Sequence, residues 1–418
     1  MTRQSARARG PNLAGYATFA AMLSAAGLPI YIHAPKFYVD EYGVGLTALA
    51  GVLFGLRLLD VVQDPALAWV ASRLRARRGR AVAVGGAVLA VSMLALFAVP
   101  PPVPPLLWFA LTMTGLFSAF SFLTICLYSE GVQTAGGLGE AGHLRLAAWR
   151  ETGALLGVCA AAVAPSLLLG TPAPYAGFAA GFAALCLLAV WLMRAEWGQA
   201  AAIAPSGFRA ILGDGIARRL LLIALLNAAP VAVSSTLFLF YVESVLDAPG
   251  WEGPLLILFF LSAAVSTPAW SKAARRVGAR PMLILGMVLA IASFSTVLLL
   301  EAGDVALFAV VCLVSGIAIG ADFALLPALF ARRMAQVAPE AAAGFGLWSF
   351  VQKATLALAA IVLLPALEAA GFAPGAPNDA AALQMLTSLY ALVPCVLKLG
   401  ALGLLSMTRL PPDRAQTV

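Results

Sequence analysis

The stretch 46–80, LTALAGVLFGLRLLDVVQDPALAWVASRLRARRGR, decides how the whole chain is read. Its first part is a mostly apolar run of bilayer-spanning length, and it ends in the cluster Arg73–Arg80. An apolar run of about 20 residues stopped by basic residues is a membrane-spanning helix that ends at the cytoplasmic face. Arg57, Asp60, Gln63, Asp64 and Pro65 lie inside that run. Each ionised side chain at mid-bilayer costs about 2.5–3.5 kcal/mol even on lenient insertion scales. Charges kept there point to work done inside the membrane.

The rest of the chain follows the same grammar. It has 418 residues, 62% hydrophobic and only 11% charged, with a mean hydropathy of +0.95. Soluble domains carry about 25% charge, and no core of this size hides so much apolar surface. Lipid is therefore the solvent, which excludes cytosolic enzymes, secreted disulfide scaffolds and nucleic-acid binders. Apolar runs at 13–38, 46–72, 81–99, 104–130, 144–169, 174–195, 217–245, 252–272, 281–301, 304–331, 343–370 and 381–407 give twelve expected spans. The linkers PPVPP (101–105), GTPAP (170–174) and GFAPGAPND (371–379) break helices between them. The first run, although preceded by Arg3, Arg7 and Arg9, is too long for a signal peptide and reads as a retained helix. Cys126, Cys159, Cys186, Cys312 and Cys395 lack paired spacing and read as packing residues.

Basic residues orient the set. Most of the 26 Lys and Arg fall on one side, at Arg73–Arg80, Arg145 and Arg150, Arg194 to Arg219, Lys272 to Arg280, and Arg332 and Arg333. The opposite loops carry acids such as Glu243, Asp247, Glu252, Glu301 and Asp304. This bias places both termini in the cytoplasm, and the expected location is the inner membrane. The net charge of +7 then serves topology and anionic headgroups. RLRARRGR (73–80) and KAARRVGAR (272–280) each follow a span with an internal proline, Pro65 or Pro268, about half a chain apart. Either two basic loops merely look alike, or the chain is a six-plus-six repeat. The shared proline and glycine favour the repeat. The expected architecture is an all-α integral membrane protein: a bundle over 1–196, a cytoplasmic linker at 197–216 and a second bundle over 217–418. Two such halves rocking about a midplane site make a secondary transporter.

Asp60 and Asp64 stand at i and i+4 on one face of the second span, with Arg57 on the same face and Gln63 nearby. Two carboxylates against one guanidinium leave a charge of −1, which suits one monovalent cation. Both aspartates would serve as metal ligands only if that ion is Na⁺. The alternative is a structural Arg–Asp pair, which needs no second aspartate. Lys353 in the eleventh span cannot reach water easily and calls for an interior carboxylate, of which the second span offers two. Trp348 offers either a stacking surface for a ligand or plain packing. Asp322 suits substrate contact or an interhelical hydrogen bond, while Lys398 reads as structural. His33, beside Pro35 and Lys36, reads as interfacial rather than as a proton relay. Arg150 and Glu151 near the start of the fifth span suit a local lock or substrate contact.

Together these residues resemble the glycoside–pentoside–hexuronide:cation symporters, the melibiose-permease-like branch of the major facilitator superfamily. The resemblance runs through most of the chain. It rests on Phe37-Tyr-Val-Asp40-Glu-Tyr-Gly43, Arg57-x-x-Asp60-x-x-x-Asp64-Pro65, Arg73–Arg80 and His143-Leu-Arg145-Leu-Ala-Ala-Trp149-Arg150-Glu151. Gly320-Ala-Asp322, Gly346-Leu-Trp348 to Lys353 and Tyr390-Ala-Leu-Val-Pro394 support it. It implies a twelve-helix fold of two pseudo-symmetric bundles, with Asp60, Asp64 and Gln63 at the cation site and Arg150 and Lys353 near the sugar and cation. Ser24 and Ser121 stand where such relatives carry sugar-binding acids in the first and fourth spans, and Ile125 stands near the sugar-stacking tryptophan. Ala331-Arg332-Arg333-Met334 replaces their acidic stretch. The cation machinery is kept and the sugar-gripping carboxylates are absent, so the expected solute is sugar-like or amphipathic, coupled to Na⁺ or H⁺.

Two rivals remain on the same fold: a proton-driven exporter of hydrophobic compounds, and a non-transporting assembly or sensor protein. No nucleophile–base pair, metal cluster or phosphate loop suggests an enzyme. The expected partners are lipid, a small solute and the coupling cation, with no cofactor, no nucleic acid and a monomeric chain.

Overall fold

A computed structural model describes residues 11–139, 141–168, 170–197, 207–372 and 378–408. The N-terminal arginines, residues 198–206 of the linker, and Arg409 and Arg414 lie outside the described residues, as do the side chains of Lys36, Arg57 and Asp60.

The described residues are helical throughout, with no strand among them. In chain order the helices are α1 (Leu13–Ala25), α2 (Leu28–Tyr42), α3 (Leu46–Arg73), α4 (Arg78–Phe97), α5 (Pro105–Gly136), α6 (Gly142–Leu167) and α7 (Pro174–Met193). There follow α8 (Phe208–Gly213), α9 (Gly215–Phe240), α10 (Glu252–Val277), α11 (Ala279–Ser295), α12 (Val305–Val337), α13 (Ala342–Ala369) and α14 (Ala380–Met407). Ten helices are each long and apolar enough to cross a membrane; α3 and the α1–α2 pair supply the other two of the twelve spans. The short α8 falls within the stretch 197–216 expected as the linker.

The first span differs from the single helix expected over 13–38. Helix α1 ends at Ala25, and Gly27, with ψ near −119°, turns the chain before α2 begins. A glycine tolerates that backbone, and Pro29, two residues on, lacks an amide that a continuous helix would use. Two of the later helices start on acidic caps. Asp214 accepts from the Ala217 amide at 2.7 Å to start α9, and Asp379 accepts from the Ala382 amide at 2.8 Å to start α14.

Outward-facing residues are apolar, among them Leu187, Leu299, Val62 and Leu167, as expected where lipid is the solvent. Helices meet through small residues. A Cβ on Gly153 or Gly157 of α6 would run into the α1 backbone at Ala17 and Ala21, and one on Gly316 of α12 would run into Phe259 of α10. Close backbone approach at small residues is how membrane helices gain packing without a hydrophobic driving force.

Candidate functional site

The centre of the site is Asp64, fully buried two turns before the end of α3. Its Oδ1 receives the Lys353 ammonium at 3.1 Å, and its Oδ2 accepts from the Ser349 hydroxyl at 2.5 Å. Both donors come from α13, in the other half of the chain, and stand one turn apart on one helical face. Lys353 also donates to Ser121 of α5. A fully buried carboxylate is paired here with a lysine and a hydroxyl that reach across the interface. Close packing makes this reach possible: a Cβ on Gly346 would stand 2.5 Å from that of Ala68, so α13 lies hard against α3 one turn from Asp64.

This arrangement changes the charge balance read from the sequence. The net negative charge between Arg57 and Asp64 is matched by Lys353. The Asp64 carboxylate thus already holds a tethered ammonium. Gln63 accepts from Ser118 of α5 at 2.9 Å, on the same α3–α5 contact. The structure thus brings Asp64, Gln63, Ser121 and Lys353 into one neighbourhood on α3, α5 and α13. Arg57 and Asp60 share α3 with Gln63 and Asp64, but their side chains lie outside the described residues.

Arg150 sits elsewhere, sealed in its own lock. Its guanidinium lies 2.8 Å from Glu151 Oε1 and 3.6 Å from the centre of the Tyr128 ring. The Tyr128 hydroxyl donates to the same carboxylate at 2.9 Å, and the ring meets Phe345 of α13 at 5.0 Å. Trp348 is buried against Phe330 at 5.0 Å, in the packing of the second half. Asp322 of α12 pairs with Lys398 of α14, both buried within that half. Ser24 is half-buried in the last turn of α1, beside the break. His33 meets the Ala162 carbonyl at 3.1 Å, joining α2 to α6.

Several functional-looking groups escaped the sequence reading. Ser349 gave no signal, because a serine in an apolar helix is ordinary. Arg78, read as one of the loop charges that set topology, is buried and pairs with Glu130 of α5 at 3.1 Å and Glu340 at 3.8 Å. Glu340, in the turn between α12 and α13, is itself fully buried. With Gln133 reaching the Pro339 carbonyl and Ser271 reaching that of Leu144, these contacts close the two halves together at the basic end of the bundle. In the turn before α9, bidentate contact with Arg333 holds the Asp214 carboxyl below its ordinary range. Among the described residues no group of three or more His, Cys, Asp or Glu side chains is placed to hold a metal ion.

A family model described as MFS/sugar transport protein matches residues 13–412. No curated protein matches the chain. Among solved structures, a bacterial homologue of the iron transporter ferroportin, in an outward-facing state, superposes with a TM-score of 0.69 at 15% identity, covering 94% of this chain and 98% of that one. The same homologue soaked with iron gives a TM-score of 0.70 at 14% identity, covering 94% of this chain and 99% of that one. The Escherichia coli fucose:proton symporter superposes with a TM-score of 0.66 at 14% identity over 93% of this chain and 98% of that one. At these identities the structures share the fold.

Proposed function

Because the chain belongs to the MFS/sugar transport protein family, and is thus a multi-pass membrane transporter rather than an enzyme, we propose that it couples a small solute to Na⁺ or H⁺ by alternating access. The solute is sugar-like or amphipathic, the basic end faces the cytoplasm of the inner membrane, and the working unit is a monomer whose halves, 1–196 and 217–418, rock about the site. The observation that carries this reading is the pair between Lys353 and the buried Asp64 that joins the halves.

In this state Asp64 holds Lys353 and Ser349, and the basic end is closed. A proton or Na⁺ on Asp64 removes the charge that retains the lysine, so the tie across the interface weakens. The ion thereby biases an equilibrium between two arrangements of the halves, which is what coupling requires. Asp60, one turn earlier on α3, and the Gln63 amide supply further oxygens for Na⁺. Ser121, held by Lys353 here, becomes available to solute hydroxyls once the lysine leaves.

The test is flux in proteoliposomes under imposed Na⁺ or H⁺ gradients, with a panel of neutral sugars, hexuronides and lysophospholipids. The reading expects uphill movement of at least one solute under one gradient, lost in Asp64→Asn. Extrusion of hydrophobic dyes driven by a proton gradient, with no response to the panel, would favour an exporter instead. Uphill uptake that survives Asp64→Asn overturns the assignment of Asp64.

A further inference from the structure

At the basic end, on the outer surface where the two halves meet, a cavity of about 420 Å³ lies between α1, α6 and α10. Its wall carries one arginine from each half, Arg145 of α6 and Arg275 of α10, followed deeper by Trp149, Thr152 and Leu156 on α6 and Pro268 on α10. The order along α6 is polar to apolar. Arg145 stands in the first turn, and Thr152 lies about 10 Å further along the axis at about 1.5 Å per residue. Trp149 and Leu156 are exposed, and on a bundle whose outer face is apolar that exposure is to lipid. Tryptophan is enriched at the depth of the headgroups.

The charge at the mouth is unbalanced. Among the described residues neither Arg145 nor Arg275 takes part in an ion pair, although both border one cavity. Arg275 is held toward α6 by the Ser271 hydroxyl at 3.3 Å, and Ser271 in turn donates to the carbonyl of Leu144, the neighbour of Arg145. The first turn of α6 carries no acid, so Arg145 adds positive charge to the positive end of the helix dipole. Two guanidiniums and a helix N-terminus converging on one space form a strong anion-attracting locus. A further observation lies deeper: the Thr152 hydroxyl on the same wall is buried without a hydrogen-bond partner.

We propose that this cavity is a binding site for one anionic phospholipid, bound from the bilayer. Its phosphate bridges Arg145 and Arg275, an ester oxygen accepts from Thr152, and an acyl chain lies along Trp149, Leu156 and Pro268. The lipid spans both halves at the end where they are closed, so it stabilises this arrangement over one in which the basic end opens. The site is separate from Asp64 and does not depend on which solute is carried.

The test uses the full-length protein purified in neutral detergent, with thermal stability and native mass spectrometry read against added lipid. Wild type is expected to bind phosphatidylglycerol about ten-fold more tightly than phosphatidylcholine and to gain a correspondingly larger rise in melting temperature. Arg145→Gln combined with Arg275→Gln is expected to bring the two lipids level. Arg276→Gln, which removes an adjacent exposed charge outside the cavity, is expected to keep the preference. Thr152→Val is expected to weaken both lipids alike. Equal binding of the two lipids by wild type overturns the site. So does loss of preference in Arg276→Gln equal to that in the double variant, which would mean diffuse surface charge. Stabilisation by glycerol phosphate alone to the level of phosphatidylglycerol would identify a soluble-phosphate site and overturn the lipid assignment.

Discussion

Replacing Lys353 by methionine keeps the length of the side chain and removes its charge, leaving Asp64 fully buried with only Ser349 as a donor. At the 3.1 Å separation of the pair, attraction of about 5 kcal/mol is expected with an effective dielectric of about 20. Breaking a buried pair by removing one partner typically destabilises by about 3–5 kcal/mol, because the remaining charge is stranded. Lys353 keeps 16% side-chain exposure and Ser349 stays in place, so the lower part of that range, about 3 kcal/mol, is the expected loss. Asp64→Asn is expected to lose less, since the lysine retains Ser121 and some access to solvent. The variant carrying both Asp64→Asn and Lys353→Met strands no charge and should recover most of the stability. Denaturant titration of all four proteins in mixed micelles gives the coupling energy, expected at about 2–3 kcal/mol. Single losses that add to within about 0.5 kcal/mol would show that the two groups do not interact, and the reasoning would be refuted.

Other outcomes follow from the same physics. Lys398→Met should destabilise through the stranded Asp322 by about 3 kcal/mol, with Asp322→Asn added to it restoring stability; similar unfolding midpoints for the single and double variants would contradict the pairing. Gly153→Val should part α1 from α6 and destabilise by at least about 1–3 kcal/mol, read as a lower melting temperature, whereas an unchanged value would mean that the crossing is looser than described. The Asp214 carboxyl is lowered by Arg333, so its contribution is full above the ordinary aspartate range and is lost as pH falls through the lowered value in the folded protein. Asp214→Asn should therefore lower the melting temperature at neutral pH and flatten its acid dependence below about pH 4, and identical profiles for the two proteins would count against this.

Spans and their ends were legible because the bilayer demands long apolar runs and the loops carry their charge asymmetrically. The intramembrane charges stood out for the same reason: against an apolar background every ionisable residue is conspicuous. The partner of Lys353 was readable as to helix, since α3 held the candidate acids. The choice of Asp64, and the participation of Ser349 and Ser121, depended on the register between α3, α5 and α13, which no local pattern encodes. The Asp322–Lys398 pair was hidden likewise, with its members on α12 and α14. Arg78 was misleading in the other direction, and Glu340 gave no signal at all. Arg78 was grouped with the loop charges that set topology, yet the closed basic end buries it together with Glu340. The break at Gly27 was masked by the apolar residues on either side, which keep hydropathy high through a kink.

The most direct measurement places spin labels at Arg77→Cys and Val277→Cys, one on each half at the basic end, with the five native cysteines replaced. Distances are then followed by double electron–electron resonance as Na⁺ is added or pH lowered. Release of Lys353 by a cation on Asp64 predicts that the distance lengthens in the otherwise unchanged protein. It predicts also that Asp64→Asn shows the longer distance from the outset, with no further response to either ion. An Asp64→Asn protein that stays closed and still responds to Na⁺ or H⁺ as the parent does would contradict a coupling site at Asp64.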